Sequence, residues 1–301
     1  MIRISILLLA ITCISCNNPL TERIASKYKS NEKVITQKKN MVHDLPEELN
    51  EISGITFLND SVLVAIQDEE GILYYYNLKQ DRIIRKQSFA DADDYEDLVK
   101  AGNDMYVVTG KGVIYQIKNF ESSRPQIRTF KTPLGDKNDI EGLAYDSKNN
   151  RLLIAPKEAG LDKDKTTKEI YGFDLKTMQF QTSPAYTIHL KEIETYFKGD
   201  AIEESSKKFL KVLGNKNMRK VFRSSALTVN ENTGEIFVLS SLNGLILILS
   251  PRGTINKIIQ FTGKEYKQPE GIAFSSNGKL YISNEGAKSG IGNIIELIHE
   301  N

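Results

Sequence analysis

The chain has 301 residues, of which 40% are hydrophobic and 26% charged, and this composition is typical of a folded globular protein rather than a disordered one. Its 40 Lys and Arg residues nearly balance its 39 Asp and Glu residues, so the charge argues against nucleic acid as a partner. Both cysteines, Cys13 and Cys16, lie near the N-terminus, which excludes a disulfide framework or a cysteine-rich zinc site in the folded body.

Residues 1–15 have the pattern of a signal peptide. Arg3 supplies a positive start, and the apolar run at residues 4–14 is much shorter than the ~20 residues of a membrane-spanning helix. The run ends in Ser15 and Cys16, and a small residue before a cysteine resembles the lipobox of bacterial lipoproteins, although Cys13 stands where leucine is usual. We predict lipidation of Cys16 and a lipid anchor in the bacterial cell envelope, at the outer membrane. Simple secretion and an uncleaved anchor are the alternatives.

Residues 16–40 are polar and rich in Lys, Asn and Ser, which predicts a lipidated tether ahead of a folded domain at residues 41–301. A short motif recurs through that domain at intervals of about 45 residues, with one interval of about 84. Its five copies are Glu51-Ile-Ser-Gly-Ile, Tyr95-Glu-Asp-Leu, Ile140-Glu-Gly-Leu-Ala, Ser224-Ser-Ala-Leu and Pro269-Glu-Gly-Ile-Ala.

Each copy of the motif starts a series of short apolar runs separated by Asn, Asp and Gly, and four short strands per repeat are typical of a propeller blade. We therefore predict an all-β fold, a β-propeller of five four-stranded blades. The fifth repeat lacks a fourth strand, so residues 33–37 are expected to pair with its open edge and close the ring. Residues 191–222 have apolar residues at helical spacing, which predicts a helical insert before the fourth blade; a hidden sixth blade is the alternative.

In a propeller, the start of the first strand and the end of the second strand of each blade face one mouth of the central channel. Acidic residues predominate at these places in the sequence, so we predict an acidic mouth. The candidate metal ligands are Glu96, Glu141 and Glu270, and the candidate ligand-binding residues are Glu51, Asp68, Lys157, Glu158 and Glu285.

Three roles are open for these carboxylates. They could cap turns and join adjacent blades, bind a cation or ligand, or take part in catalysis. Ca²⁺ takes six to eight oxygen ligands, and the predicted mouth offers such oxygens, so Ca²⁺ is the expected cofactor if a metal binds. No catalytic residue is assigned, because the sequence has no nucleophile elbow and none of His43, His189 and His299 falls at a mouth position.

The repeated motifs resemble the SdiA-regulated family of β-propeller proteins of the bacterial envelope over roughly residues 45–298. One departure is Ser225-Ala226, which stands where the family often has a second Ser-Gly pair. The resemblance implies the fold and the compartment but no activity, and a weaker similarity extends to calcium-containing propeller hydrolases such as lactonases and phytases. The motifs that carry it are Glu51-Ile-Ser-Gly-Ile, Asp94-Tyr-Glu-Asp-Leu, Glu141-Gly-Leu-Ala-Tyr, Val238-Leu-Ser-Ser, Pro269-Glu-Gly-Ile-Ala and Ile282-Ser-Asn-Glu.

The leading hypothesis is a non-enzymatic, lipid-anchored binding module whose acidic mouth takes a cation, a small ligand or an envelope protein partner. The first alternative is a calcium-dependent hydrolase of esters or phosphoesters. The second is a scaffold in an envelope complex. We expect a monomer that contacts the membrane through its lipid and does not bind nucleic acid.

Overall fold

The repeats form five four-stranded antiparallel sheets in the computed structural model, which describes residues 41–197, 222–261, 263–286 and 290–297. The predicted all-β propeller of five blades is confirmed, and the described residues form no sixth sheet. The first blade consists of β2 (Ile52–Phe57), β3 (Val62–Gln67), β4 (Ile72–Asn77) and β5 (Arg82–Ser88), and the second of β6 (Tyr95–Ala101), β7 (Asp104–Thr109), β8 (Val113–Lys118) and β9 (Gln126–Lys131). The third blade consists of β10 (Ile140–Asp146), β11 (Arg151–Pro156), β12 (Thr167–Asp174) and β13 (Gln179–His189), and the fourth of β14 (Ala226–Val229), β15 (Ile236–Ser240), β16 (Leu245–Leu249) and β17 (Ile255–Gln260). The fifth blade combines β18 (Pro269–Phe274), β19 (Leu280–Asn284) and β20 (Asn293–Leu297) with β1 (Val42–Asp44), the first strand of the described chain.

The hydrophobic core lies between neighbouring blades, because alternate side chains of a strand point to opposite faces of its sheet. The three tyrosines of β4 show this arrangement. Tyr74 and Tyr76 pack with Ala273 and Tyr281 of the fifth blade, whereas Tyr75 packs with Leu98 of the second blade. The middle tyrosine therefore faces away from the other two, as the alternation of side chains along a strand requires.

The outer edge of the fifth blade is covered by β1, which pairs antiparallel with β20 and places Val42 opposite Ile295. The Nδ1 atom of His43 in β1 lies 2.5 Å from a carboxylate oxygen of Asp81, in the turn between β4 and β5 of the first blade. The segment predicted to fill this edge, residues 33–37, lies outside the described residues, as do the predicted signal peptide, Cys16 and the tether. Among the described residues, the strand that pairs with β20 at this edge is Val42–Asp44.

A short helix, α1 (Leu190–Phe197), follows β13 at the start of the predicted insert. Its residue Ile193 is buried with Phe222 in the core between the third and fourth blades. The rest of the predicted insert, residues 198–221, lies outside the described part of the chain. Among the described residues, no helix combines the length and the apolar character needed to cross a bilayer.

Candidate functional site

Three acidic residues occupy β-bulges near the starts of inner strands. Glu96, Glu141 and Glu270 are each left out of the pairing between the first and second strands of their blades; in the second blade, Tyr95 pairs with Thr109 and the next pair begins at Asp97. A bulge turns the extra residue out of the ladder and re-aims its side chain. This is the local reason why the three residues proposed from the sequence as metal ligands leave their sheets at equivalent points.

A repeated backbone hydrogen bond joins the residue after the second strand to a residue before the first strand. In the first, second, third and fifth blades it holds together the two parts that the sequence places at one mouth. The four bonds run from the N–H of Asp68 to the carbonyl of Glu51 (3.4 Å), from Gly110 to Asp94 (3.0 Å), from Lys157 to Asp139 (2.6 Å) and from Glu285 to Gln268 (2.9 Å).

Glu96, Asp139 and Glu141 form one carboxylate cluster, called here the inner triad. One oxygen of each residue lies within 4.8 Å of the other two. Glu141 is only 6% exposed, and its Oε2 atom has no hydrogen-bond partner among the described residues. Gly110 leaves room beside this cluster, because a β-carbon on it would lie 2.6 Å from an Asp94 oxygen and 3.3 Å from a Glu96 oxygen. The inner triad therefore has a buried acceptor that the protein leaves unused.

Lys157 places its ammonium group against the inner triad. It forms an ion pair with Glu141 and lies 3.8 Å from Asp139. Burial lowers the pKa of Lys157, but the two carboxylates raise it further, so its net pKa is above the ordinary value. The ammonium of buried Lys168 donates to the backbone carbonyls of Lys157 (2.5 Å) and Glu158 (3.1 Å), which fixes the loop that carries both residues.

Glu51, Asp68 and Glu285 form a second cluster, the outer triad, which is more exposed than the first. One oxygen of each again lies within 4.8 Å of the others, and the Oδ1 atom of Asp68 is shielded from solvent and has no hydrogen-bond partner in the described ranges. Burial, together with the charges of Glu51 and Asp68, raises the pKa of Glu285 to about 7. The structure therefore brings together three of the five predicted ligand-binding residues.

Electrostatic repulsion links the two triads around the mouth. Burial raises the pKa of Glu96 to about 9, and the carboxylates of Glu141 and Asp94 add to the effect. Burial raises the pKa of Glu270 to about 8, with further increases from Glu141 and Glu285. The pKa of Glu141 is about 7 because burial outweighs the opposing charge of Lys157. Since each carboxylate penalises the ionisation of its neighbours, additional positive charge at this mouth would stabilise all of them.

Glu158 and the fourth blade depart from the acidic pattern. Glu158 pairs with Arg223, so this predicted ligand-binding residue has a partner within the protein. Ser225 occupies the position that corresponds to Glu141, and its hydroxyl donates to the carbonyl of Pro269 (3.0 Å). Within the described part of the chain, the fourth blade therefore brings a cation and hydroxyl groups to the mouth where the second, third and fifth blades bring carboxylates.

Asp97 is a channel residue that the sequence analysis did not single out. Its carboxylate is 2% exposed and accepts hydrogen bonds from the backbone N–H groups of Leu98 (2.8 Å) and Leu143 (2.7 Å). Burial raises the pKa of Asp97 well above its usual range, although these amides and that of Leu227 oppose the shift. The signal was present in the repeat, because Asp97 stands where the other copies have Gly or Ala.

Comparison with known families supports the resemblance given by the motifs. The sequence profile of the SdiA-regulated family matches residues 26–288. No curated protein matches the chain.

Solved structures with a similar fold share little sequence with this chain. Glutaminyl cyclase from Myxococcus xanthus superposes with a TM-score of 0.52 at 14% identity, covering 86% of this chain and 98% of its own. A luciferin-regenerating enzyme gives a TM-score of 0.49 at 10% identity, with 86% and 96% of the two chains covered. Virginiamycin B lyase from Staphylococcus aureus gives 0.44 at 13% identity, with 87% and 75% covered. At these identities the likenesses concern the fold alone.

Proposed function

Because the chain belongs to the SdiA-regulated family, we propose that it is a non-enzymatic, lipid-anchored protein of the bacterial cell envelope that binds a divalent cation at its acidic channel mouth. The observation that carries the cation-binding proposal is the inner triad. Three carboxylates converge there, and a buried oxygen of Glu141 has no partner within the part of the chain that the structure describes. A buried acceptor without a donor is unfavourable, and a cation would satisfy it directly.

The chemistry of the donor set favours Ca²⁺ over transition metals. In the described residues, the two clusters that could hold an ion consist of carboxylates alone, without histidine or cysteine. Hard cations such as Ca²⁺ prefer oxygen ligands, whereas zinc sites are built mainly from nitrogen and sulfur. Glu96, Asp139 and Glu141 would hold the ion, with Glu270 close enough to Glu141 to raise its own pKa through repulsion.

The outer triad provides a second acidic position at the same mouth. Among the described residues, no lysine or arginine forms an ion pair with the outer triad. However, Glu51 is exposed, so water would compete with its carboxylate for a bound ion. We therefore assign the tighter site to the inner triad. The remaining acids would attract a small cationic ligand or a basic segment of an envelope partner.

Calorimetry with Ca²⁺ on the full-length protein in detergent, after treatment with a chelator, tests the proposal. We expect one tight site, a rise in melting temperature on binding, and a loss of affinity of about tenfold or more in Glu141→Gln. Glu121→Gln, which changes an exposed carboxylate in the turn after β8, is the matched control and should bind normally. No heat and no melting shift at millimolar Ca²⁺ would exclude the metal site.

A calcium-dependent hydrolase of esters or phosphoesters is the second candidate. The observation in its favour is Glu270, whose raised pKa of about 8 lies near neutral pH beside the inner triad, as a general base requires. A panel of lactones and phosphoesters, assayed with and without Ca²⁺, tests this function. Calcium-dependent turnover that is lost in Glu270→Gln would establish it, and an inactive protein that binds Ca²⁺ would leave the binding module as the function.

A further inference from the structure

The central channel contains a cavity of about 320 Å³ that does not include either triad. It is lined by the second halves of the inner strands and by the turns that follow them. Because the inner strands begin at the acidic mouth, their far ends line the opposite end of the channel. This space is called here the far cavity; its lining residues include Thr56, Phe57, Lys100, Thr228, Glu231 and Phe274.

The carboxylate of Asp97 lies between the acidic mouth and the far cavity. Leu98 and Leu143, whose N–H groups it binds, are themselves part of the cavity wall. Two residues of the inner triad lie just before these positions in the same strands. Glu96 directly precedes Asp97, and Glu141 lies two positions before Leu143. The two ends of the channel are thus separated by a buried, hydrogen-bonded side chain, and each end can recognise a ligand of its own.

Among the described residues, Lys100 is the single basic residue in the wall of the far cavity. It is half-buried, and its ammonium has neither an ion pair nor a hydrogen bond within the described part of the chain. The other lysines near the channel differ in this respect, since Lys157 and Lys111 each contact a carboxylate. The acid that the described part of the chain adds to this wall, Glu231, lies in the exposed turn after β14 of the fourth blade.

The rest of the wall combines apolar and hydroxyl groups. Phe57 and Phe274 lie at the ends of β2 and β18, while Thr56 and Thr228 carry hydroxyls. The wall of the far cavity exposes more polar than apolar surface, and a cavity of about 300 Å³ is large enough to hold a small molecule. An ammonium group without a protein partner at the wall of such a cavity attracts anions, because an ion pair that is shielded from water is stronger than one in bulk solvent.

We propose that the far cavity binds a small organic carboxylate, whose anionic group pairs with Lys100 and whose apolar part lies against the half-buried side chains of Phe57 and Phe274, which also pack on Tyr281 and Phe237. This site would take a ligand of the opposite charge to the one attracted by the acidic mouth. It does not depend on the cation site, because none of its contacts involves the triads.

Titration of the full-length protein with benzoate, followed by calorimetry and by NMR, tests the proposal in the presence of a chelator. Benzoate joins a carboxylate to an apolar ring, and benzamide and benzylamine are the matched neutral and cationic probes. We expect benzoate to bind, to perturb the amides of residues 98–100, and to bind more tightly than either control. Saturating Ca²⁺ should leave its affinity unchanged.

Variants of Lys100 distinguish a specific ion pair between Lys100 and benzoate from nonspecific electrostatic attraction. Lys100→Met keeps the aliphatic stem and should weaken benzoate binding about fivefold or more, Lys100→Arg should retain it, and Lys131→Met, at an exposed lysine of β9, should have no effect. Melting temperatures near that of the wild type establish that the variants are folded. Absence of benzoate binding, equal binding of benzylamine, or an unchanged affinity in Lys100→Met would overturn the proposal.

Discussion

The carboxylate of Asp97 in the second blade accepts a hydrogen bond from the amide of Leu143 in the third blade, over 2.7 Å. One side chain in the channel thereby connects the inner strands of two neighbouring blades. There is room for an aspartate at this point because the corresponding residues of the other blades are small, three glycines and Ala226. A β-carbon on Gly54, for example, would lie 2.5 Å from an Asp97 oxygen.

We expect Asp97→Ala to lower the free energy of unfolding by about 2–4 kcal/mol, because it leaves buried amides without an acceptor. Asp97→Asn keeps an acceptor of the same size and should cost less. Urea denaturation monitored by circular dichroism measures both, with Asp136→Ala, at an exposed aspartate, as the control. Equal stability of the alanine variant and the wild type would contradict the bridging role.

The stability of the metal-free protein should fall as the pH rises. Glu96 has a pKa of about 9 in the folded protein against an ordinary value of 4.5, so between these two values the folded state holds a proton that the unfolded state has lost. The free energy of unfolding therefore decreases across this window, by up to about 1.4 kcal/mol per pH unit for one group. Glu270, with a pKa of about 8, acts in the same direction.

Glu96→Gln tests this linkage, because its amide stays neutral at every pH. In a chelator, we expect the variant to exceed the wild type in stability by about 2 kcal/mol near pH 8 and to lose that advantage near pH 5. Thermal or urea unfolding at several pH values gives the two slopes. Parallel slopes for the two proteins would show that Glu96 ionises normally in the folded state.

Lys157 is expected to compete with a bound cation for Glu141 and Asp139. Lys157→Met should therefore destabilise the metal-free protein, since it leaves a buried carboxylate without its counter-ion, and should raise the Ca²⁺ affinity about threefold to tenfold. Parallel calorimetry and melting experiments measure the two effects. Lys111→Met, which removes an exposed lysine paired with Asp93, is the control, and loss of Ca²⁺ binding in Lys157→Met would indicate that the lysine positions the ligands.

Proton competition should make Ca²⁺ binding depend on pH. Because the pKa values of Glu141 and Glu96 are about 7 and about 9, binding must displace protons from them, and the affinity should rise as the pH increases from about 6 to about 8. Calorimetry in buffers of different ionisation enthalpy counts the protons released. Binding without proton release would place the ion away from the inner triad.

The proposed anchor predicts that Cys16→Ser abolishes labelling of the protein by a fatty-acid analogue in bacterial cells, because that thiol is the attachment point. Cys13→Ser is the matched control, since it changes the neighbouring cysteine within the predicted signal peptide and should leave labelling intact. Labelling that persists in Cys16→Ser would disprove lipidation at this residue.

The blades were predictable because their determinants are local. Alternating apolar residues, turn residues and a repeated motif set the strands, and the same alternation placed Tyr75 opposite to Tyr74 and Tyr76. The acidic mouth followed from the topology of a blade. The motif alone identified Glu96, Glu141 and Glu270 as candidates. The β-bulges at these residues explain why their side chains leave the sheets at equivalent points.

Contacts between blades could not be predicted in the same way. The pairing of Glu158 with Arg223 joins residues on either side of the insert, and the closing segment, Val42–Asp44, is too short to stand out as a strand in the sequence. In the sequence, Asp97 cannot be distinguished from the other acids of the repeat. Its hydrogen bonds with backbone amides are seen only in the structure. Such contacts depend on how the ring closes, which brings together residues that are distant in the chain.

Ser225 makes the distribution of negative charge around the acidic mouth asymmetric. Ser225 and Arg223 interrupt the acids on the side of the fourth blade, so the most negative region lies off the axis of the disc, towards the first, second, third and fifth blades. A molecule with one cationic and one neutral or anionic end would settle in a single orientation, with its cationic end away from Arg223. A mouth with the same acid in every blade would have accepted it in five equivalent orientations.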